Sequence, residues 1–130
     1  MTPKKLVPLV TTQDLDALRA FYVDKLGFTT TFDAPMYLGL KWGENAEIGF
    51  MTPGGDCPVF GGKGLSLCLE VDDVDAQHDR FVSLGVSVVQ APRDNPWGDR
   101  SFVALDPAGV ALYVYKPTQP SPEFAKYVKE

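Results

Sequence analysis

Residues 7–17 read Val7-Pro8-Leu9-Val10-Thr11-Thr12-Gln13-Asp14-Leu15-Asp16-Ala17, and residues 66–76 read Ser66-Leu67-Cys68-Leu69-Glu70-Val71-Asp72-Asp73-Val74-Asp75-Ala76. In each, a short apolar run precedes an aspartate that opens a helical pattern. Asp14 is followed by Leu15, Leu18, Phe21, Tyr22 and Leu26 at three- and four-residue steps, and Asp73 by Val74, His78, Phe81 and Leu84. An aspartate at that point can accept from the unpaired amides of the first turn. Gly27 and Gly85 follow the last apolar residue of each pattern, where a left-handed residue ends a helix.

Working outward, the same order of elements occurs twice. Leu6–Val10 reads as a strand, then a helix, then strands over Phe28–Phe32, Tyr37–Trp42 and Glu47–Met51, with turns at Asp33-Ala34-Pro35 and Gly43-Glu44-Asn45. Leu65–Val71, a second helix, Val86–Gln90, Ser101–Leu105 and Val110–Tyr115 repeat that order. The residues match as well: Asp14-Leu15-Asp16-Ala17 with Asp73-Val74-Asp75-Ala76, Tyr22-Val23 with Phe81-Val82, and Leu26-Gly27 with Leu84-Gly85 after one deletion. Module 1 spans about 5–51, a Gly/Pro-rich linker 52–63, module 2 about 64–116 and a Pro-rich tail 117–130, with Ser121-Pro122-Glu123 starting a short helix. The class is α+β: two tandem βαβββ modules with pseudo-twofold symmetry, forming curved mixed sheets around a cleft.

Alternation sorts the faces. Val7, Leu9 and Thr11, with Glu47, Gly49 and Met51, fall on one face of the first sheet; Ser66, Cys68 and Glu70, with Ala111, Tyr113 and Tyr115, fall on the matching face of the second. Leu65, Leu67, Leu69, Ile48, Phe50, Leu112 and Val114 suit packing under the helices. A one-residue register error would exchange the sets.

The chain has 130 residues, 45% hydrophobic and 12% aromatic, enough for one packed domain. Twelve basic against 17 acidic residues give a net charge of −5, which argues against a nucleic-acid partner. No apolar run approaches the ~20 residues of a bilayer span. Met1 leads into Thr2-Pro3-Lys4-Lys5 with no apolar signal region behind it. The two cysteines, Cys57 and Cys68, form no metal spacing and read as reduced, so the expected location is the cytoplasm. Cys68 reads as a small buried side chain.

Val7-Pro8-Leu9-Val10, Asp14-Leu15, Phe21-Tyr22 and Leu26-Gly27-Phe28 resemble the opening of the vicinal oxygen chelate superfamily, which includes glyoxalase I, extradiol dioxygenases and bleomycin-resistance proteins. Asn95-Pro96-Trp97-Gly98-Asp99-Arg100-Ser101-Phe102 and Asp106-Pro107-Ala108-Gly109 are similar to the bleomycin-resistance branch. The resemblance implies paired βαβββ modules and a homodimer. It places metal ligands of the catalytic members at Val7, Gly49, Ser66 and Tyr113, which carry no usual set of carboxylate or imidazole groups. The lone histidine, His78, lies on the second helix, and no nucleophile triad can be built on it.

The expectation is therefore a protein without a metal or other cofactor that sequesters a bulky aromatic small molecule, most simply an antibiotic of the bleomycin type. The alternative is a metal-dependent lyase, isomerase or dioxygenase with a displaced site. The resemblance matches Tyr37 and Trp97 to the rings that stack on the drug. The candidate ligand-binding set is Tyr37, Glu47, Gly49, Ser66, Cys68, Trp97, Phe102, Tyr113 and Tyr115, with no catalytic residue and no metal ligand assigned. Trp42 is a further aromatic candidate. Glu47 and Glu70 suit a cationic ligand, and Arg100 reads as a surface residue or a ligand contact.

Overall fold

The computed structural model describes residues 1–54, 56 and 58–129. Gly55 of the linker, Cys57 with its reduced-thiol reading, and Glu130 of the tail lie outside the described residues. The chain forms two compact units. One holds Met1–Lys63 with Pro107–Gly109; the other holds Gly64–Asp106 and the chain from Val110 onward.

In the first unit, β1 (Leu9–Thr11), β2 (Thr29–Asp33), β3 (Tyr37–Trp42) and β4 (Ala46–Met51) form a sheet in the order β1-β4-β3-β2, with β1 parallel to β4. In the second, β5 (Ser66–Glu70), β6 (Ser87–Asn95), β7 (Asp99–Leu105) and β8 (Ala111–Pro117) form the same arrangement, β5-β8-β7-β6, with β5 parallel to β8. The repeated order is thus a repeated topology, and the register repeats too. Leu9 lies opposite Gly49, and Cys68 opposite Tyr113.

Each unit covers one sheet face with a helix. Asp14 caps α1 (Leu15–Arg19) and Asp73 caps α2 (Val74–Ser83), each accepting at 3.0 Å from the amide three residues on. From Asp14 to Gly27 the chain advances thirteen residues, but from Asp73 to Gly85 only twelve. The extra residue is taken up in a π-helical turn, Ala20–Lys25, closed by a Leu26 N–H to Phe21 C=O bond of 3.1 Å. The wider turn keeps Leu15, Leu18, Phe21, Tyr22 and Leu26 all buried. Tyr22 meets Phe28 at 5.0 Å and Phe50 at 5.4 Å between ring centroids. In the second unit Phe81 meets Phe102 edge-on at 5.2 Å, and Leu112 and Val114 are fully buried as well.

Most strand limits differ from the sequence reading by a residue or two, and those of β1, β6 and β7 differ in ways that bear on the site. β1 begins at Leu9, not Leu6. Leu6 is 81% exposed, and Pro8, which has no N–H to donate, only accepts from Gly49 N–H at 2.8 Å. β6 runs on to Asn95 and β7 starts at Asp99, so the residues between the expected strands Val86–Gln90 and Ser101–Leu105 are mostly a hairpin whose turn is Pro96-Trp97-Gly98. Pro92 lies within β6, which is an edge strand, and the ladder shifts register between Gln90 and Arg93 around it. The tail helix α3 (Pro122–Ala125) begins where Ser121-Pro122-Glu123 indicated.

Candidate functional site

The helix-covered side of each sheet is closed core, so any site lies on the opposite face. On the second sheet that face carries Cys68 and Glu70 from β5, Tyr113 and Tyr115 from β8, and Asp99, Ser101 and Val103 from β7. Register sets Cys68 beside Tyr113, Glu70 and Ser101 beside Tyr115, and Val103 beside Tyr113.

Asp99 is the centre of this face. It is 9% exposed, and three neutral donors reach its carboxylate. Asn95 Nδ2 donates to Oδ1 at 2.7 Å, Trp97 Nε1 to Oδ2 at 3.1 Å, and the Tyr113 hydroxyl to both oxygens at 2.9 and 3.1 Å. Asn95 also donates to Ser101 Oγ at 2.9 Å and accepts from Arg93 Nε at 3.0 Å. Among the described residues no cation pairs directly with Asp99. The buried charge is held by hydrogen bonds alone, which a carboxylate with its several lone-pair sites can accept together.

Trp97 sits at the hairpin tip, 47% exposed, with its N–H turned inward to Asp99. The tail braces that tip. Thr118 N–H donates to Gly98 C=O and Ser121 N–H to Pro96 C=O, both at 2.8 Å, and the Phe124 ring meets the indole edge-on at 6.4 Å. Gly98 has φ +116°, and a Cβ there would stand 3.2 Å from the Thr118 carbonyl and from Pro120, so this turn demands glycine.

Tyr115 lies 6.0 Å from the Tyr113 ring. Burial, then the neighbouring Glu70 charge, pushes its phenol above the usual tyrosine range.

On the first sheet, Tyr37 lies across Gly49. A Cβ on Gly49 would collide with the Tyr37 hydroxyl and approach its Cζ to 2.9 Å and Leu9 Cδ1 to 3.1 Å. The missing side chain of Gly49 is the space the phenol uses. Phe32 flanks the Tyr37 ring at 5.7 Å. Glu47 is joined to Lys5 at 2.9 Å, so its charge is partnered.

The structure thus brings Trp97 and Tyr113 together through Asp99, with Tyr115 and Cys68 on the same face, and places Tyr37 with Gly49 on the other sheet. Ser66 is exposed at the start of β5, opposite Ala111. Two expectations are corrected. Phe102 is fully buried between Phe81 and His78 on the helix side, because it alternates with Ser101 along β7 and so faces the core. Cys68 is exposed, because β5 is an edge strand and its partner-free face is open. Trp42 stacks on Phe28 at 5.1 Å. Arg100 is bound by both Asp75 oxygens at 2.8 and 2.9 Å and by Asp94 at 3.2 Å, which lowers the Asp75 carboxyl and raises the guanidinium.

The sequence reading did not single out Asp99, Asn95, Ser101 or Phe124. The signal for the first and third was present: extended by two residues, the β7 alternation puts Asp99 and Ser101 on the face of Tyr113.

A family model for the Glyoxalase/Bleomycin resistance protein/Dioxygenase superfamily matches residues 6–114. The chain belongs to this superfamily. An uncharacterized protein of Mycobacterium bovis is 45% identical over 85 residues, 64% of this chain and 48% of its own length. The chain spans about half the length of the curated relatives it matches. The fold is similar to TnmS3, an antibiotic-binding protein from Streptomyces sp. CB03234, at 27% identity and a TM-score of 0.74 over 90% of this chain and 98% of that one. It is also similar to lactoylglutathione lyase from Agrobacterium tumefaciens, at 27% identity and a TM-score of 0.71 over 89% of this chain and 96% of that one.

Superfamily membership raises the question of a metal. The four positions that the resemblance gives to ligands do not fit one. Val7 and Gly49 have no side-chain donor atom, Ser66 offers a neutral hydroxyl, and the Tyr113 hydroxyl is engaged as a hydrogen-bond donor to Asp99. Among the described residues no three His, Cys, Asp or Glu side chains converge as a metal site. No helix among them is long and apolar enough to cross a membrane.

Proposed function

We propose that this superfamily member binds and sequesters a bulky aromatic small molecule, of antibiotic character, without a metal. The observation that carries the reading is the half-exposed Trp97 indole, fixed at its N–H by Asp99 beside Tyr113. Tyrosine hydroxyls mark both last-strand positions where a metal ligand would stand. In one sheet the Tyr37 phenol fills the space over Gly49; in the other, Tyr113 is tied to Asp99. Such rings stack on flat ligands for about 0.5–1.5 kcal/mol per pair beyond simple burial. Likeness to an antibiotic-binding protein supports this reading. It includes a homodimer, as the resemblance to bleomycin-resistance proteins implies, working in the cytoplasm, as the reduced reading of the two cysteines suggests; sedimentation of the purified protein tests the assembly.

Titration of bleomycin and of a flat polycyclic antibiotic against intrinsic tryptophan fluorescence tests the function, with Trp97→Ala alongside. Saturable binding that Trp97→Ala weakens at least ten-fold is expected. Undiminished binding in the variant removes Trp97 as the stacking platform. Likeness to a lyase supports a second reading, metal-dependent catalysis at a displaced site. Stoichiometric nickel, zinc, iron or manganese in purified protein, removable with loss of turnover, favours that reading.

A further inference from the structure

We propose that Asp99 is a positioning residue: its one carboxylate presets the orientation of both Trp97 and Tyr113, so that the aromatic platform exists before any ligand arrives. The proposal rests on the reading that these rings carry the ligand, and it explains a feature that reading leaves open. A carboxylate 9% exposed, with no cation paired directly to it among the described residues, is costly unless fully hydrogen-bonded. At this place a neutral side chain would be cheaper. What a carboxylate alone supplies is acceptor capacity for three converging donors, Asn95 Nδ2, Trp97 Nε1 and Tyr113 Oη. An asparagine offers one acceptor oxygen and would turn an N–H₂ group toward the remaining donors.

The geometry divides the work. Asn95 is itself fixed, donating to Ser101 as well as Asp99 and accepting from Arg93, so it anchors the carboxylate from behind. The other two bonds reach outward to rings. Trp97 is half-exposed, and its other ring contact is the Phe124 edge at 6.4 Å. Without the N–H tether the indole is free to turn about its side-chain torsions. Tyr113 is held at its far end in the same way, which sets its ring plane beside Tyr115. Holding side chains in the bound arrangement beforehand removes an ordering cost that binding otherwise meets. For two rings that cost corresponds to an affinity difference on the order of ten-fold.

The test uses the full chain with Trp42→Phe, which leaves Trp97 as the only tryptophan. Time-resolved fluorescence anisotropy follows the indole without ligand, and bleomycin is the binding probe. In the Asp99 protein the anisotropy is expected to decay with overall tumbling alone. Asp99→Asn is expected to add a fast local component and to weaken bleomycin about ten-fold while the unfolding midpoint stays within a few degrees. Arg100→Ala, which breaks an ion network on the same strand, is expected to change neither readout. A large fast component already present with Asp99 intact overturns the proposal, and that arm needs no variant to fold. So does an Asp99→Asn protein in which either indole motion or bleomycin affinity is unchanged. Failure of bleomycin to bind the Asp99 protein counts against the function proposed above, whereas the anisotropy measurement still decides the positioning.

Discussion

Replacing Gly49 by alanine tests whether the Tyr37 phenol truly occupies the space above that strand. Gly49 lies inside β4 in ordinary extended backbone, so the backbone itself accepts a side chain. Glycine in a strand interior costs roughly 0.5–1 kcal/mol relative to alanine, and an alanine with room around it would recover that amount. Here the new Cβ meets the Tyr37 hydroxyl, with Cζ at 2.9 Å and Leu9 Cδ1 at 3.1 Å. Overpacking of this kind costs about 1–3 kcal/mol. Gly49→Ala alone is therefore expected to be neutral to destabilising by up to about 2.5 kcal/mol, the difference between those ranges. In a Tyr37→Ala background the same change is expected to stabilise by about 0.5–1 kcal/mol. The coupling between the two sites, about 1–3 kcal/mol, is read from urea unfolding of the four proteins of the cycle. Additive effects, within about 0.5 kcal/mol, would refute the placement of the phenol over Gly49.

Other consequences are direct. Phe102→Ala is expected to cost about 3–5 kcal/mol in urea unfolding and to leave bleomycin affinity of the folded protein unchanged, since the ring faces the core. Asp73→Ala removes the α2 cap and is expected to cost about 1 kcal/mol by the same measurement. Asp75, held below its usual range by hydrogen bonds from Arg100, gives stability that is complete above its unfolded value and lost as pH falls through the folded one. Arg100→Gln is thus expected to return the Asp75 titration, followed by NMR, to its ordinary range. The stability gap between the two proteins is expected to be present at neutral pH and to close in acid below pH 3.8, the ordinary value for that carboxyl.

The fold was legible because it is written twice. Two aspartate caps, two glycine stops and the same run of strands specify one βαβββ unit, and each copy checks the other. The single-residue mismatch between the helices was visible as a deletion in the alignment, but its structural form was not. A π-helical turn is set by which residues must stay buried, here Tyr22 and Leu26 together. Face sorting by alternation worked wherever strand limits were right. It was not applied to β7, so Phe102 stood in the ligand-binding set although it alternates with Ser101 toward the core, and Asp99 fell outside the strand. Pro92 sits within the edge strand β6, and Pro96 in the turn that joins it to β7. The Asp99 network was beyond sequence reading for a different reason. Its members are spread from Arg93 to Tyr113, and the bonds of Asn95 and Tyr113 to Asp99 form only once separate strands come together.

The central claim is that ligand recognition rests on rings fixed by hydrogen bonds and owes nothing to a bound ion. Bleomycin titration against intrinsic tryptophan fluorescence, run in parallel with a strong chelator and with added divalent zinc, nickel, iron or manganese, addresses it most directly. One saturable curve, the same in every condition and weakened at least ten-fold by Trp97→Ala, in which Trp42 still reports, is the expected result. Binding that vanishes with chelator and returns with one of those metals would contradict the account.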